Sequence, residues 1–183
     1  MQTLRYLVPL AAIAVIGTAN AGGWTVATDT SSVGFTAEQQ GAKFNGKFGE
    51  FSAKIDFDPG MASHGSIVGM VKTDTVDTRD YDRDASLTDV DWFDPAKYPE
   101  AKFESTSIEA AGDGKFVAHG NLTLKGMTKP IDLTFSFDQS GDSAKFDGMM
   151  TINRFDFNVG QGWNDTYMVG KEVEVAVRLD LTR

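Results

Sequence analysis

Asp80, Asp82, Asp84, Ser86, Thr88 and Asp91 stand at the 1, 3, 5, 7, 9 and 12 spacing of a calcium loop, a dense run of oxygen donors. Ala85 stands where such a loop needs glycine, and Asp91 where it needs a bidentate glutamate. The array therefore reads as a solvated acidic surface, and no metal ligand is assigned. The chain has no cysteine and two histidines, His64 and His119. That excludes thiolate zinc sites, iron–sulfur clusters and a cysteine nucleophile. No Gly-x-Ser-x-Gly elbow, phosphate loop or His-Glu-x-x-His helix is present, so no catalytic residue is assigned. Arg83, Lys125 and Arg154 carry groups able to grip a phosphate or carbonyl oxygen, or else to pair with the many aspartates. The Asn121-Leu122-Thr123 and Asn164-Asp165-Thr166 sequons are common short patterns. The formal charge of −9 argues against a nucleic-acid backbone as partner.

The start of the chain reads as an address. Arg5 supplies a positive n-region, Tyr6 to Ile16 an apolar core broken only by Pro9, and Ala19-Asn20-Ala21 a small-x-small cleavage pattern. Residues 1–21 are thus expected to be a secretory signal and 22–183 one exported domain, periplasmic in a Gram-negative host, with no integral membrane segment after cleavage. That compartment permits disulfides, so a cysteine-free fold must rest on packing alone.

Alternation of apolar and polar residues runs through the rest. Val33, Phe35 and Ala37 share a face, as do Phe44, Gly46 and Phe48. Phe51, Ala53, Ile55 and Phe57 follow, ending at Asp58-Pro59-Gly60. Ile67, Gly69 and Val71 continue the pattern, then Phe103, then Phe116, Ala118, Leu122 and Leu124. Ile131, Leu133, Phe135 and Phe137 form another face, Phe146 to Phe157 reads as one strand, and Val173, Val175, Val177 and Leu179 close the chain. About eight strands separated by regular turn signals give an all-β antiparallel sandwich or barrel. Residues 80–98 break the alternation. There Asp80 or Asp84 can cap a short helix, and Trp92 and Phe93 precede Pro95 and Pro99.

Most of the 13 phenylalanines fall on those alternating faces. They either fill a core or line a cavity, because a barrel of about eight strands is just wide enough to fill itself or to hold one small ligand. Glycines at inward positions, Gly46 and Gly69, favour open volume. Periodicity leaves both readings standing.

Several strings resemble one family. They are Trp24-Thr25-Val26, Ser32-Val33-Gly34-Phe35, Gly46-Lys47-Phe48 and Ile55-Asp56-Phe57-Asp58. The centre carries Asp77-Thr78, Arg83-Asp84, Leu87, Asp91-Trp92-Phe93-Asp94, Lys97-Tyr98-Pro99 and Phe103-Glu104-Ser105. Gly120 to Pro130 and Ile152-Asn153-Arg154-Phe155-Asp156-Phe157 complete the set. Together they resemble the YceI-like family of exported, lipocalin-like, polyisoprenoid-binding proteins across essentially the whole mature chain. Two positions depart: Ser86 stands where the family usually has His, and Asn158 where it often has Gly.

The resemblance implies a lipocalin-like antiparallel β-barrel around a long apolar tunnel, with a helical insertion at about residues 80–98. It implies no enzyme and no cofactor, but a bound isoprenoid or fatty-chain molecule such as a polyprenyl compound or isoprenoid quinone. It also implies a homodimer, for which the sequence itself offers no feature. Residues expected to line the interior are Phe35, Phe44, Phe48, Phe51, Val71, Phe103, Leu122, Leu124, Phe135, Phe137 and Ile152. Trp92 and Phe93 are expected to close one end, with Arg154 at the head group. Competing readings are a stress-related or assembly domain with a filled core, and an enzyme acting on such a lipid through an aspartate and a histidine.

Overall fold

The computed structural model describes residues 23–183, so the signal read over 1–21 lies outside the described residues. The alternating segments become strands β1 (Gly23–Val26), β2 (Ser32–Gln39), β3 (Ala42–Phe48), β4 (Phe51–Asp56), β5 (Ser66–Lys72) and β6 (Val76–Asp77). After helix α1 (Tyr81–Leu87) come β7 (Glu100–Gly112), β8 (Lys115–Leu124), β9 (Met127–Ser140), β10 (Ser143–Asn153) and β11 (Glu172–Thr182). All pairings are antiparallel.

Eight strands close into a ring in the order β1-β4-β5-β7-β8-β9-β10-β11, and β11 returns to β1. The closure is made at one end only, where Thr25 and Val26 face Thr182 and Leu181. Closer to its start, β11 is paired instead with β2, from Glu174↔Thr36 to Arg178↔Ser32, and β3 and β6 extend from β2. A single strand therefore borders two differently built halves of the barrel.

At the closed end the interior is solid. The Phe57 ring makes edge contacts with Phe116, Phe135 and Phe137 at centroid distances of 4.9, 5.2 and 5.0 Å. Phe135 stacks on Phe146 at 4.8 Å, and Trp24 meets Phe137 edge-on at 5.3 Å. Such pairs add about 0.5–1.5 kcal/mol each beyond the area they bury. Trp24 donates its indole N–H to the Phe57 carbonyl at 3.0 Å, satisfying the one polar atom this aromatic layer brings inside.

The chain departs from the alternating pattern's strand and helix bounds in two places. The strand read over Phe146 to Phe157 stops at Asn153, and residues Arg154–Phe157 form a 3-10 turn. The Asn153 side chain accepts from Phe155 N–H at 3.1 Å and so caps the turn that ends the strand. In the 80–98 insertion, regular helix covers only Tyr81–Leu87, with Asp80 as N-cap accepting from Arg83 N–H at 3.1 Å. The rest is a chain of turns ending where Tyr98 N–H reaches the Asp94 carbonyl at 2.8 Å. Asp84 accepts from both the N–H and the hydroxyl of Thr78, at 2.8 and 2.6 Å, which ties the helix to the end of β6.

Candidate ligand cavity

The half of the barrel walled by β2 and β3 is hollow. A cavity of about 430 Å³ opens there, within the range of small-molecule sites. Its walls follow the inward positions of each strand. Val33, Phe35 and Ala37 come from β2, Phe44 and Phe48 from β3, Phe51 and Ala53 from β4, and Gly69 and Val71 from β5. Ala101 and Phe103 line it from β7, Leu122 and Leu124 from β8, Met150 and Ile152 from β10, and Val173 to Leu179 at alternate positions from β11. Trp92, Phe93 and Leu87 cover one side. Polar groups are gathered at the rim, where Gln39, Asp80, Asp82, Arg83 and Ser86 lie.

Of the expected interior residues, Phe35, Phe44, Phe48, Phe51, Val71, Phe103, Leu122, Leu124 and Ile152 stand on this wall, together with Trp92, Phe93 and Arg154. Phe135 and Phe137 do not. They share the same alternation, but their level along the barrel puts them in the packed aromatic layer. Gly46 also differs from expectation. The Phe35 ring lies directly over it, well inside contact distance of any Cβ placed there, so its missing side chain is already replaced by an aromatic one. Gly69 has nothing within 4 Å of that point and does leave space.

Arg154 has a different task from either one expected of it. It is 3% exposed and makes no ion pair among the described residues. Nε–H goes to Gly170 O at 2.9 Å, and Nη1 to Val159 O and Gly160 O at 3.0 and 2.7 Å. Nη2 goes to Trp163 O and to Val169 O at 3.1 Å. All five N–H donors are thereby engaged, leaving none for a head group. The guanidinium also lies 4.0 Å from the Phe155 ring centroid and 5.6 Å from that of Trp92. Burial away from water pushes its pKa down. Arg154 thus fastens the 159–170 segment to the barrel. The sequence signal that could have shown this is an arginine followed closely by a glycine-rich segment with many free carbonyls.

That segment is strapped to β2 as well. Gly170 N–H donates to Glu38 O at 2.9 Å and Gln40 N–H to Met168 O at 3.2 Å. The two-residue β2–β3 turn needs positive φ at Gln40 (52°) and Gly41 (75°), which aims the hairpin tip at this loop. Lys125 is likewise occupied, donating to Asp91 O at 2.7 Å and Asn158 O at 2.9 Å, with burial lowering its pKa. Asn158 adopts φ 56°, a left-handed turn that glycine or asparagine suits best. Arg83 is the cation at the rim. It gives Nε–H to Gln39 at 3.1 Å, pairs with Asp80 at 3.3 Å and lies 4.1 Å over the Phe44 ring.

The acidic run does not assemble as a calcium loop. Asp82, Asp84 and Ser86 are on a helix, Asp80 caps it, and Asp84 is spent on Thr78. Both histidines lie on the outside. His64 ends the 3-10 turn Pro59–His64, and His119 sits between Asp132 (2.7 Å) and Glu109 (3.4 Å) on the outer face of the sheet. Among the described residues, no helix is long and apolar enough to cross a membrane.

This geometry defines a closed antiparallel β-barrel with one solid end and one hollow, apolar end. A YceI-like domain model matches residues 24–181, and the chain belongs to that family. A UPF0312 protein of Shewanella denitrificans is 36% identical over 104 residues, 56% of this chain and 54% of the relative, so that alignment spans about half of the relative's length. One from Vibrio cholerae is 29% identical over 167 residues, 86% of this chain and 88% of the relative. Among solved structures, Burkholderia cenocepacia BcnA superposes with TM-score 0.82 at 34% identity, covering 85% of this chain and 99% of BcnA. A polyisoprenoid binding domain from Saccharophagus degradans gives TM-score 0.68 at 15% identity, over 88% of this chain and 98% of that one, a likeness of fold.

Proposed function

We propose that this chain is an exported, non-catalytic binding or carrier protein that encloses the tail of an isoprenoid or similar long-chain amphiphile, acting in the periplasm. The observation that carries the reading is the separation of chemistry inside the barrel: an apolar wall around about 430 Å³, with charged and amide groups only at the rim and on the Arg154 clamp. An oily chain loses water along its whole length in such a space, gaining about 0.8 kcal/mol per methylene. A polar head would stay at the rim beside Gln39, Asp80, Arg83 and Ser86. The family membership and the polyisoprenoid-binding description of the Saccharophagus domain support the same ligand class. The enzyme reading is weaker, because neither histidine reaches the cavity wall. Solvent extraction of the purified protein followed by mass spectrometry should release one long apolar compound in near-stoichiometric amount. A protein that yields none, and that also fails to take up prenylquinones or fatty amides, would overturn the proposal.

A further inference from the structure

Among the described residues, six large apolar side chains are exposed, and four of them stand around the opening of the cavity. These are Tyr81, Val90, Trp163 and Tyr167, at 86, 64, 48 and 67% exposure. Each adjoins the rim. Tyr81 lies between Asp80 and Asp82, Val90 is two residues before Trp92, Tyr167 is two before Val169, and Trp163 lines the opening itself. Contacts join their segments into a ring. Arg83 of α1 reaches Gln39 at the end of β2. In the adjoining turn Gly41 lies against the Tyr167 ring, whose Cε2 is 3.6 Å from the point a Cβ would occupy. The Trp163 ring is 6.4 Å from that of Trp92, and Gly160 N–H donates to Asp91 O at 2.7 Å. Val90 leads back to α1 through the turn in which Asp89 N–H meets Ser86 O at 3.0 Å.

Tyrosine and tryptophan join an apolar body to a polar tip, a combination suited to the boundary between lipid and water. The ring is also acidic. Within residues 39–42, 79–92 and 159–170, Asp80, Asp82, Asp89, Asp91 and Asp165 are exposed against one exposed cation, Arg79. Such a field repels anionic lipid and complements the ammonium groups of an aminophospholipid. Separate side chains around an opening suit a fluid surface, which yields to each of them. A folded partner would need a matching pocket for every one.

We infer that this ring is a membrane-docking face, seated on a zwitterionic phosphatidylethanolamine surface through Tyr81, Val90, Trp163 and Tyr167. A tail then passes between bilayer and cavity without crossing water, where its exposure would be most costly. The inference rests on the carrier reading above and adds the surface with which the cargo is exchanged.

The test is flotation of the protein with vesicles of phosphatidylethanolamine and phosphatidylcholine. The protein should float with them, and replacing the phosphatidylcholine by phosphatidylglycerol should lower the bound fraction, most of all at low salt. Tyr81→Ser/Val90→Ser/Tyr167→Ser changes three exposed positions outside the cavity wall and should weaken flotation about tenfold or more. Met61→Ser/Met149→Ser removes exposed apolar side chains elsewhere and should leave flotation unchanged. Uptake of a fluorescent fatty probe from cyclodextrin should be equal in wild type and the triple variant, whereas uptake from vesicles should slow in the variant. Flotation that prefers phosphatidylglycerol, or that survives the triple substitution, would overturn the docking face. So would a protein that ignores both kinds of vesicle, and its capture by immobilised polylysine would make the ring a seat for a basic protein instead. Probe uptake from cyclodextrin would leave the carrier reading intact in each of these cases. Failure of that uptake in wild type would count against the carrier reading itself.

Discussion

Gly160 gives its carbonyl to Arg154 Nη1 at 2.7 Å while its α-carbon packs so near the same guanidinium that an added Cβ would lie 2.9 Å from Nη1. Arginine and glycine are thus matched: the first supplies five donors and the second makes room for them. Arg154→Lys keeps the charge but cannot reach five carbonyls, and should lower unfolding free energy by about 2–4 kcal/mol. Gly160→Ala, strained at φ 62° as well as crowded, should also destabilise. Urea unfolding measures both, and limited proteolysis should show new cleavage within 159–170. Wild-type resistance in either variant would contradict the clamp.

Gly46 and Gly69 should respond to alanine in opposite ways. At Gly46 the Phe35 ring must be displaced, a change of about 1–3 kcal/mol. At Gly69 the methyl group meets open space and removes a flexible strand glycine, so stability should hold or rise by about 0.5–1 kcal/mol. Paired thermal melts distinguish the two.

The two halves of the barrel should also differ under truncation. Phe57 is 1% exposed at the centre of the aromatic layer, and Phe57→Ala should cost about 3–5 kcal/mol. Phe44 is half-buried beside space that is already empty, so Phe44→Ala should cost under about 2 kcal/mol while weakening uptake of an apolar probe. Equal losses of stability would mean the hollow half is packed in solution.

His119 should titrate above its ordinary value of 6.5, chiefly through the hydrogen bond to Asp132 and next through Glu109. A raised folded value means that its contribution to stability is fully present below pH 6.5 and is lost as pH rises through the folded pKa. The site is exposed, so the effect is small. Imidazole NMR should place the midpoint above 6.5, and Asp132→Asn should bring it down. The stability difference between that variant and wild type should be largest at mildly acid pH and fade at alkaline pH.

Alternation along the chain carries the strands, and with them the inward set, because a side chain two residues on returns to the same face. What alternation lacks is height along the barrel axis. Phe35 and Phe135 have indistinguishable local patterns, yet one lines the cavity and the other fills the solid end. Their levels depend on the registers that carry β9 through β10 and β11 to β2, long-range pairings that no local window contains. Gly46 misleads for a related reason: which ring covers a glycine is decided by the neighbouring strand. Arg154 misleads because backbone carbonyls are invisible to a reading based on charged side chains.

The division of β11 between two partners has a mechanical consequence. Its β1-paired end is anchored by a dense aromatic layer, whereas its β2-paired stretch borders empty volume and is secured at the ribbon tip by the hydrogen bonds of Glu38 and Gln40 to Gly170 and Met168. The β2–β3 ribbon is therefore a latched flap: those two backbone bonds are its catch, and the aromatic layer is its fixed frame. Loss of that catch would loosen the ribbon tip before it disturbs the solid end.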